Sequence, residues 1–184
     1  MKKKLIVAVA VAMAVSLFAC TACKKKKHEK SNPNVSVGVD YFPEINFTIR
    51  DIDGNYIDET VFSNHTLTMI NFWEPWCGPC VSEMPELEKL YENYKDKGFY
   101  IIGVFSSTDM MSDVKKVMSN AGTTYPLAAY DSAFDRFQTG SVPTTIFVDQ
   151  NGWVLPLGAA ESDKLYIGSR AYEDWAALVD TYYK

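Results

Sequence analysis

The chain has 184 residues, 47% of them hydrophobic and 22% charged, enough for one domain with a packed core; this excludes a disordered tail, a collagen-like repeat and a polytopic membrane protein. Four cysteines are too few for a miniprotein built on disulfides. Eight of the 18 basic residues lie in the first 30 positions, so residues 31–184 carry a net charge of −12 although the whole chain carries −5. Such an acidic body lacks the basic face that displaces phosphate counterions, and no nucleic-acid partner is expected.

Met1-Lys2-Lys3-Lys4 precedes an uncharged, apolar stretch over residues 5–19, the n-region and h-region of a secretory signal. A spanning helix usually needs about 20 apolar residues, so this run is short for a permanent span. Leu17-Phe18-Ala19-Cys20 resembles the lipobox of bacterial lipoproteins. The resemblance implies cleavage before Cys20, lipid on its thiol and new amino group, and attachment to the cell membrane; the other readings are an ordinary signal peptide or an uncleaved anchor. Cys20 and Cys23 spell C-x-x-C, but 53 residues separate them from the next cysteine, against about 15–20 between the two pairs of a zinc ribbon. No metal is expected. Lys24 to Lys27 and Lys30 form a basic collar that can lie on anionic headgroups or act as a solvated tether. The expected organisation is a signal peptide over 1–19, a lipidated basic linker over 20–40 and a folded domain over 41–184. The signal implies an extracytoplasmic home, where disulfides persist.

Within the domain, residues 47–49 read as a strand, and Asp53-Gly54 as a turn before Tyr56-Ile57. Residues 67–73 and 99–105 are apolar runs without alternation, as in buried parallel strands. Between them Val81, Met84, Leu87, Leu90 and Tyr94 recur at helical spacing, and strand, helix, strand is a βαβ unit. A second helix is expected over 113–120, ended by Ala121-Gly122. Residues 144–149 and 153–155 flank Gln150-Asn151-Gly152 and read as a hairpin. Tyr172, Trp175, Leu178, Val179 and Tyr182 make a closing amphipathic helix.

Trp76-Cys77-Gly78-Pro79-Cys80 stands between the first apolar strand and its helix. That spacing places Cys77 at a helix N-terminus, where unpaired N–H groups and the macrodipole favour an anion. A thiolate is the attacking form of cysteine, and such positions lower its pKa from about 8.5 to between ~3.5 and ~7.5. Cys80 follows one turn on, where it can close a disulfide with Cys77, and Pro79 falls in the first turn, where a missing N–H costs little. A metal half-site or a structural disulfide would use the same residues. A second ligand pair for a metal is wanting, since His28 and His65 are the only histidines.

Ile70-Asn71-Phe72-Trp73, W-C-G-P-C at 76–80 and Glu83-Met84-Pro85 together resemble the membrane-anchored thioredoxin-like oxidoreductases of TlpA/ResA type, over residues 47–184. The resemblance implies an α/β, thioredoxin-like fold with a central mixed β-sheet flanked by helices. It makes Cys77 and Cys80 the catalytic pair, supported by Trp76, Gly78 and Pro79, with no cofactor beyond their redox-active disulfide. Ser141-Val142-Pro143-Thr144 resembles the family's cis-proline loop, implying a cis Val142–Pro143 bond facing the dithiol. Pro85 matches the proline inside the active-site helix, and Gly158 the glycine beside the dithiol. Cytoplasmic thioredoxins carry an Asp where this chain has Asn71; Asn cannot titrate, so another group is expected to handle the proton of the second cysteine. Glu74 is a candidate on its proximity to Cys77 alone; the other reading is a solvated loop carboxylate.

The resemblance implies a thiol–disulfide oxidoreductase. Cys77 attacks a disulfide of a protein substrate and Cys80 resolves the mixed disulfide. C-G-P-C resembles the reducing branch, with potentials near about −270 mV rather than the ~−120 mV of a strong oxidant, and an extracytoplasmic reductant implies a membrane dithiol donor of CcdA/DsbD type. The alternatives are a disulfide-forming oxidant of the same fold or a non-catalytic binding module. A peroxidase wants P-x-x-x-T-x-x-C, and Ile70 and Glu74 occupy the Pro and Thr places.

Overall fold

The computed structural model describes residues 45–156 and 165–183. The expected signal, Cys20, Cys23, the basic linker and Gly158 lie outside the described residues. Among the described residues, no helix is long and apolar enough to cross a membrane.

β1 (Thr48–Arg50) and β2 (Tyr56–Asp58) form an antiparallel hairpin that pairs Ile49 with Ile57. Asp51 makes its turn: the carboxylate accepts the Asp53 N–H at 3.0 Å and the Asn55 N–H at 2.8 Å, and Gly54 takes φ +90°. A five-residue helix, α1 (Thr60–Asn64), follows.

The main sheet has five strands in the order β5-β4-β3-β6-β7. β3 (Leu67–Phe72) is central, parallel to β4 (Phe99–Phe105) and antiparallel to β6 (Thr144–Asp149). β5 (Leu127–Ala129) extends the parallel side, and β7 (Tyr166–Ile167) the antiparallel side. The sheet is therefore mixed and thioredoxin-like, with β3 and β4 buried along their length as their apolar sequences require. The β1–β2 hairpin covers the β5 edge through an Ile52 N–H bond to the Leu127 carbonyl at 2.8 Å, which removes an edge open to another chain.

Among the described residues three longer α-helices pack on the sheet: α2 (Gly78–Tyr94), α3 (Met111–Ala121) and α4 (Tyr172–Tyr182). Strand periodicity divides the core into two layers. Leu67, Met69, Phe99, Ile101, Phe105 and Phe147 pack with Cys80, Met84, Leu87 and Leu90 of α2, Val114 of α3, and Trp175 and Val179 of α4. On the other face Ile70, Phe72, Ile102, Val104, Ile146 and Val148 pack with Phe62, Phe134, Phe137 and the hairpin residues Ile49 and Ile57. Asn71, Gly103 and Thr145 lie in register across β4, β3 and β6, and by alternation face α2. Gly103 leaves room for its neighbours: a Cβ there would meet Leu127 Cδ2 at 2.5 Å and Trp73 Nε1 at 3.2 Å, so these buried side chains would have to shift.

The expected strand over 153–155 is a correction. The turn forms, with Gly152 at φ +83° and Asp149 accepting the Asn151 and Trp153 N–H groups. Beyond it only a single bridge joins Val154 to Val148, and β7, later in the chain, takes the place beside Thr144 and Thr145. The strong turn signal specifies the reversal, whereas strand length depends on which segment packs against the sheet.

Candidate active site

The connection from β3 to α2 is short and held at both ends. Trp73 continues the sheet by donating its N–H to the Val104 carbonyl at 2.9 Å, and the Cys77 N–H closes a turn on the Glu74 carbonyl at 3.0 Å. Cys77 is the N-cap of α2, in an extended conformation, and its Sγ accepts the Cys80 N–H at 3.2 Å. The sulfur therefore occupies the place of a capping oxygen and satisfies one of the helix's unpaired donors. Gly78 and Pro79 supply the first turn, and Cys77 and Cys80 are joined as a disulfide. Pro85 lies inside α2, where it removes the bond to the carbonyl four residues earlier.

Cys77, the attacking sulfur of the expected exchange, has to be reached by a substrate disulfide. In the disulfide both residues are mostly covered, Cys77 6% and Cys80 1% exposed. The larger remainder belongs to Cys77, which precedes the helix, whereas Cys80 points into the core beneath it.

The Val142–Pro143 bond is cis, and the Val142 carbonyl oxygen lies 3.5 Å from Cys77 Sγ. Cys77 and Val142, 65 places apart in sequence, meet because β3 and β6 are neighbours: Asn71 stands opposite Thr145, and Phe72 opposite Thr144. Hydroxyls brace this loop, with Thr144 Oγ1 donating to the Ser141 carbonyl at 2.7 Å and the Ser141 N–H bonding to Thr139 Oγ1 at 3.2 Å. On the far side of β6, Gly168 donates its N–H to the Pro143 carbonyl at 2.9 Å, at φ +94°. Ile167, opposite Thr144, is 58% exposed, and Trp76, beside Cys77, is 63% exposed. An exposed aromatic next to the reactive cysteine in sequence, and an exposed aliphatic on the strand beside the cis-proline loop, suit a polypeptide ligand. Ile167 and Gly168 were not singled out by sequence, since β7 is two residues long and has no periodic signal.

Glu74 and Glu83 are both buried. The Glu74 carboxylate accepts the Ser106 N–H at 2.7 Å and the Ser107 N–H at 3.1 Å. Glu83, one turn beyond Cys80, was missed as a site residue. Its Oε1 accepts the Arg170 N–H at 2.8 Å and the Trp175 indole N–H at 3.0 Å, and its Oε2 accepts from Asn71 Nδ2 at 3.3 Å. Asn71 also donates to Thr145 Oγ1 at 2.9 Å. Burial raises the Glu83 pKa above its ordinary value, against the lowering effect of these donors and of the Arg170 charge. The signal was present in the sequence: Glu83 interrupts the apolar stripe that runs from Cys80 to Leu87, and an acid on the buried face of a helix needs a reason.

The Redoxin family matches residues 37–165. The chain is 29% identical over 113 residues to thiol-disulfide oxidoreductase ResA of Halalkalibacterium halodurans, covering 60% of this chain and 63% of that protein. It is 31% identical over 122 residues to ResA of Bacillus thuringiensis, covering 65% of this chain and 69% of that one. The crystal structure of a thiol:disulfide interchange protein from Chlorobium tepidum superposes with a TM-score of 0.67 at 22% identity, over 80% of this chain and all of that one, a likeness of fold. The Redoxin match spans most of the chain, which belongs to that family as a thioredoxin-like thiol–disulfide oxidoreductase.

Proposed function

We propose that this protein reduces disulfides of extracytoplasmic proteins while anchored to the cell membrane by lipid at Cys20. The observation that carries the reading is the Cys77 sulfur at the N-cap of α2, where a thiolate would gain the Cys80 N–H and the helix dipole. In the reduced protein the Cys77 thiolate attacks one sulfur of a substrate disulfide. A Cys77–substrate mixed disulfide forms, and the other substrate sulfur leaves as a thiolate that takes up a proton. Cys80 then loses its proton and attacks Cys77 Sγ, which closes the Cys77–Cys80 bond and releases the second substrate thiolate. Two electrons pass from the dithiol to the substrate, and a membrane dithiol donor of CcdA/DsbD type restores them.

Glu83 is the group suited to receive the Cys80 proton. It lies one turn from Cys80 on the same buried face, and burial favours its protonated form. Trp76, Ile167, Val142 and Pro143 form the surface on which the substrate chain would rest, with Gly78 and Pro79 keeping the first turn of α2 free of bulky side chains.

The test is reduction of insulin by the reduced protein, together with its redox potential. Turnover with a potential near about −270 mV supports a reductant, and one near ~−120 mV replaces it with an oxidant of the same fold. Changing Cys20 to Ser should release the protein from membranes; unmodified Cys20 in membrane-bound mature protein removes the lipid anchor from the proposal.

A further inference from the structure

Glu74 is the buried carboxylate that the exchange steps leave unused. A carboxylate removed from water needs donors on its oxygens, and here they come from one neighbouring loop. Oε1 accepts the Ser106 N–H at 2.7 Å and Oε2 the Ser107 N–H at 3.1 Å. Ser107 in turn accepts the Trp76 indole N–H on its hydroxyl at 3.1 Å. The main-chain carbonyl of Glu74 accepts the Cys77 N–H at 3.0 Å. One residue thereby joins the turn that ends at Cys77, the loop that follows β4, and the indole beside the sulfur.

Trp76 is 63% exposed, so little packing holds its ring in one place, and an unheld aromatic side chain loses rotamer freedom when a ligand orders it. The bond to Ser107 holds it in advance, and Ser107 is itself held by Glu74. We propose that Glu74 is a positioning residue for protein substrates: through the Ser106–Ser107 loop it fixes Trp76 as a preformed wall against which an apolar segment flanking the target disulfide docks. It does not itself touch substrate. A small disulfide, which reaches the sulfur without needing that wall, should depend on Glu74 far less. This inference rests on Cys77 acting on protein disulfides, and the experiment separates the two.

Glu74→Ala, Glu74→Gln and Ser107→Ala are compared with the unaltered full chain. Hydrogen exchange at the Ser106 and Ser107 amides needs no catalysis. Glu74→Ala should accelerate it by about tenfold or more, as loss of charge-assisted bonds requires, and Glu74→Gln, with one amide oxygen for two donors, should fall between. KM and kcat are then measured with insulin and with a small aromatic disulfide. In Glu74→Ala the KM for insulin should rise at least about threefold more than the KM for the small disulfide, with kcat for insulin changed less than KM, the pattern of lost binding rather than lost chemistry. Ser107→Ala should reproduce part of that rise, and the double variant should be no worse than Glu74→Ala alone, because both act through one contact. Equal rises with both disulfides, an insulin KM that does not move, or unchanged amide exchange overturns the proposal. Failure of the unaltered chain to reduce insulin overturns instead the reading on which it rests.

Discussion

The two faces of the central sheet are built from the same three strands, yet they are used differently. Beneath α2, the row Asn71, Gly103 and Thr145 interrupts an apolar layer. Its polar atoms are joined to one another and to Glu83. On the opposite face Ile70, Ile102 and Ile146 occupy the adjacent row, under Phe134, Phe137 and the β1–β2 hairpin. Buried polar groups cost free energy unless each has a partner, so a sheet carries them where they contribute something besides packing. Here the amide of Asn71 lies beneath the helix that bears the dithiol, whereas the opposite face, among the described residues, carries only the buried hydroxyls of Thr68 and Thr144. Substitutions on the two faces should therefore separate chemistry from stability.

The largest effect is expected at the dithiol. Cys77→Ser should abolish turnover and trapping together, whereas Cys80→Ser should accumulate covalent mixed disulfides with substrate, because the resolving thiol is gone. Non-reducing electrophoresis followed by mass spectrometry reads both. Limiting iodoacetamide at mildly acidic pH should label Cys77 of the reduced protein before Cys80; labelling in the opposite order would exchange their roles.

Glu83→Gln comes next. Gln keeps an oxygen for the Arg170 and Trp175 donors but cannot take a proton, so resolution of a preformed mixed disulfide should slow by about 10²-fold, the scale of a lost general base. Stability should move the other way. The folded Glu83 has a raised pKa, so between its ordinary value of 4.5 and that raised value the folded state binds more protons than the unfolded state. The contribution of Glu83 is complete below 4.5 and is lost as pH rises through the folded pKa. Thermal melts should therefore show Glu83→Gln gaining on the unaltered protein as pH increases over that window. A constant difference in Tm would show that burial at this site is not linked to proton binding.

On the opposite face, Phe134→Ala should cost about 3–5 kcal/mol, the range for deleting a fully buried Phe, with activity per folded molecule retained. Denaturant unfolding and insulin reduction on the same sample check both halves. A loss of specific activity beyond the unfolded fraction would break the division between the faces. The smallest effect is expected at the rim, where Ile167→Ser should raise the KM for insulin about two- to fivefold, as loss of one exposed apolar contact would.

The sequence by itself determined the elements whose signals are local. Apolar runs marked β3 and β4, helical periodicity marked α2 and α4, and W-C-G-P-C located a reactive pair at a helix start. These depend on residues within one or two turns of each other, where backbone chemistry is decided. β5 and β7, three and two residues long, have no room for a period and exist because longer strands present an edge to them. The strand expected over 153–155 contracts to one bridge for the same reason. The carboxylates show the limit most plainly. Proximity along the chain left Glu74 as either a candidate for the proton or a solvated loop carboxylate, but tertiary structure buries it and turns its side chain onto the Ser106 and Ser107 amides, 32 and 33 residues away. Glu83, inconspicuous in the chain, meets Asn71, the Arg170 amide and Trp175 only when β3 and α4 are brought against α2. What each acid touches was a question of packing, because a carboxylate's role is set by the donors and the dielectric around it, and those are supplied by distant parts of the chain.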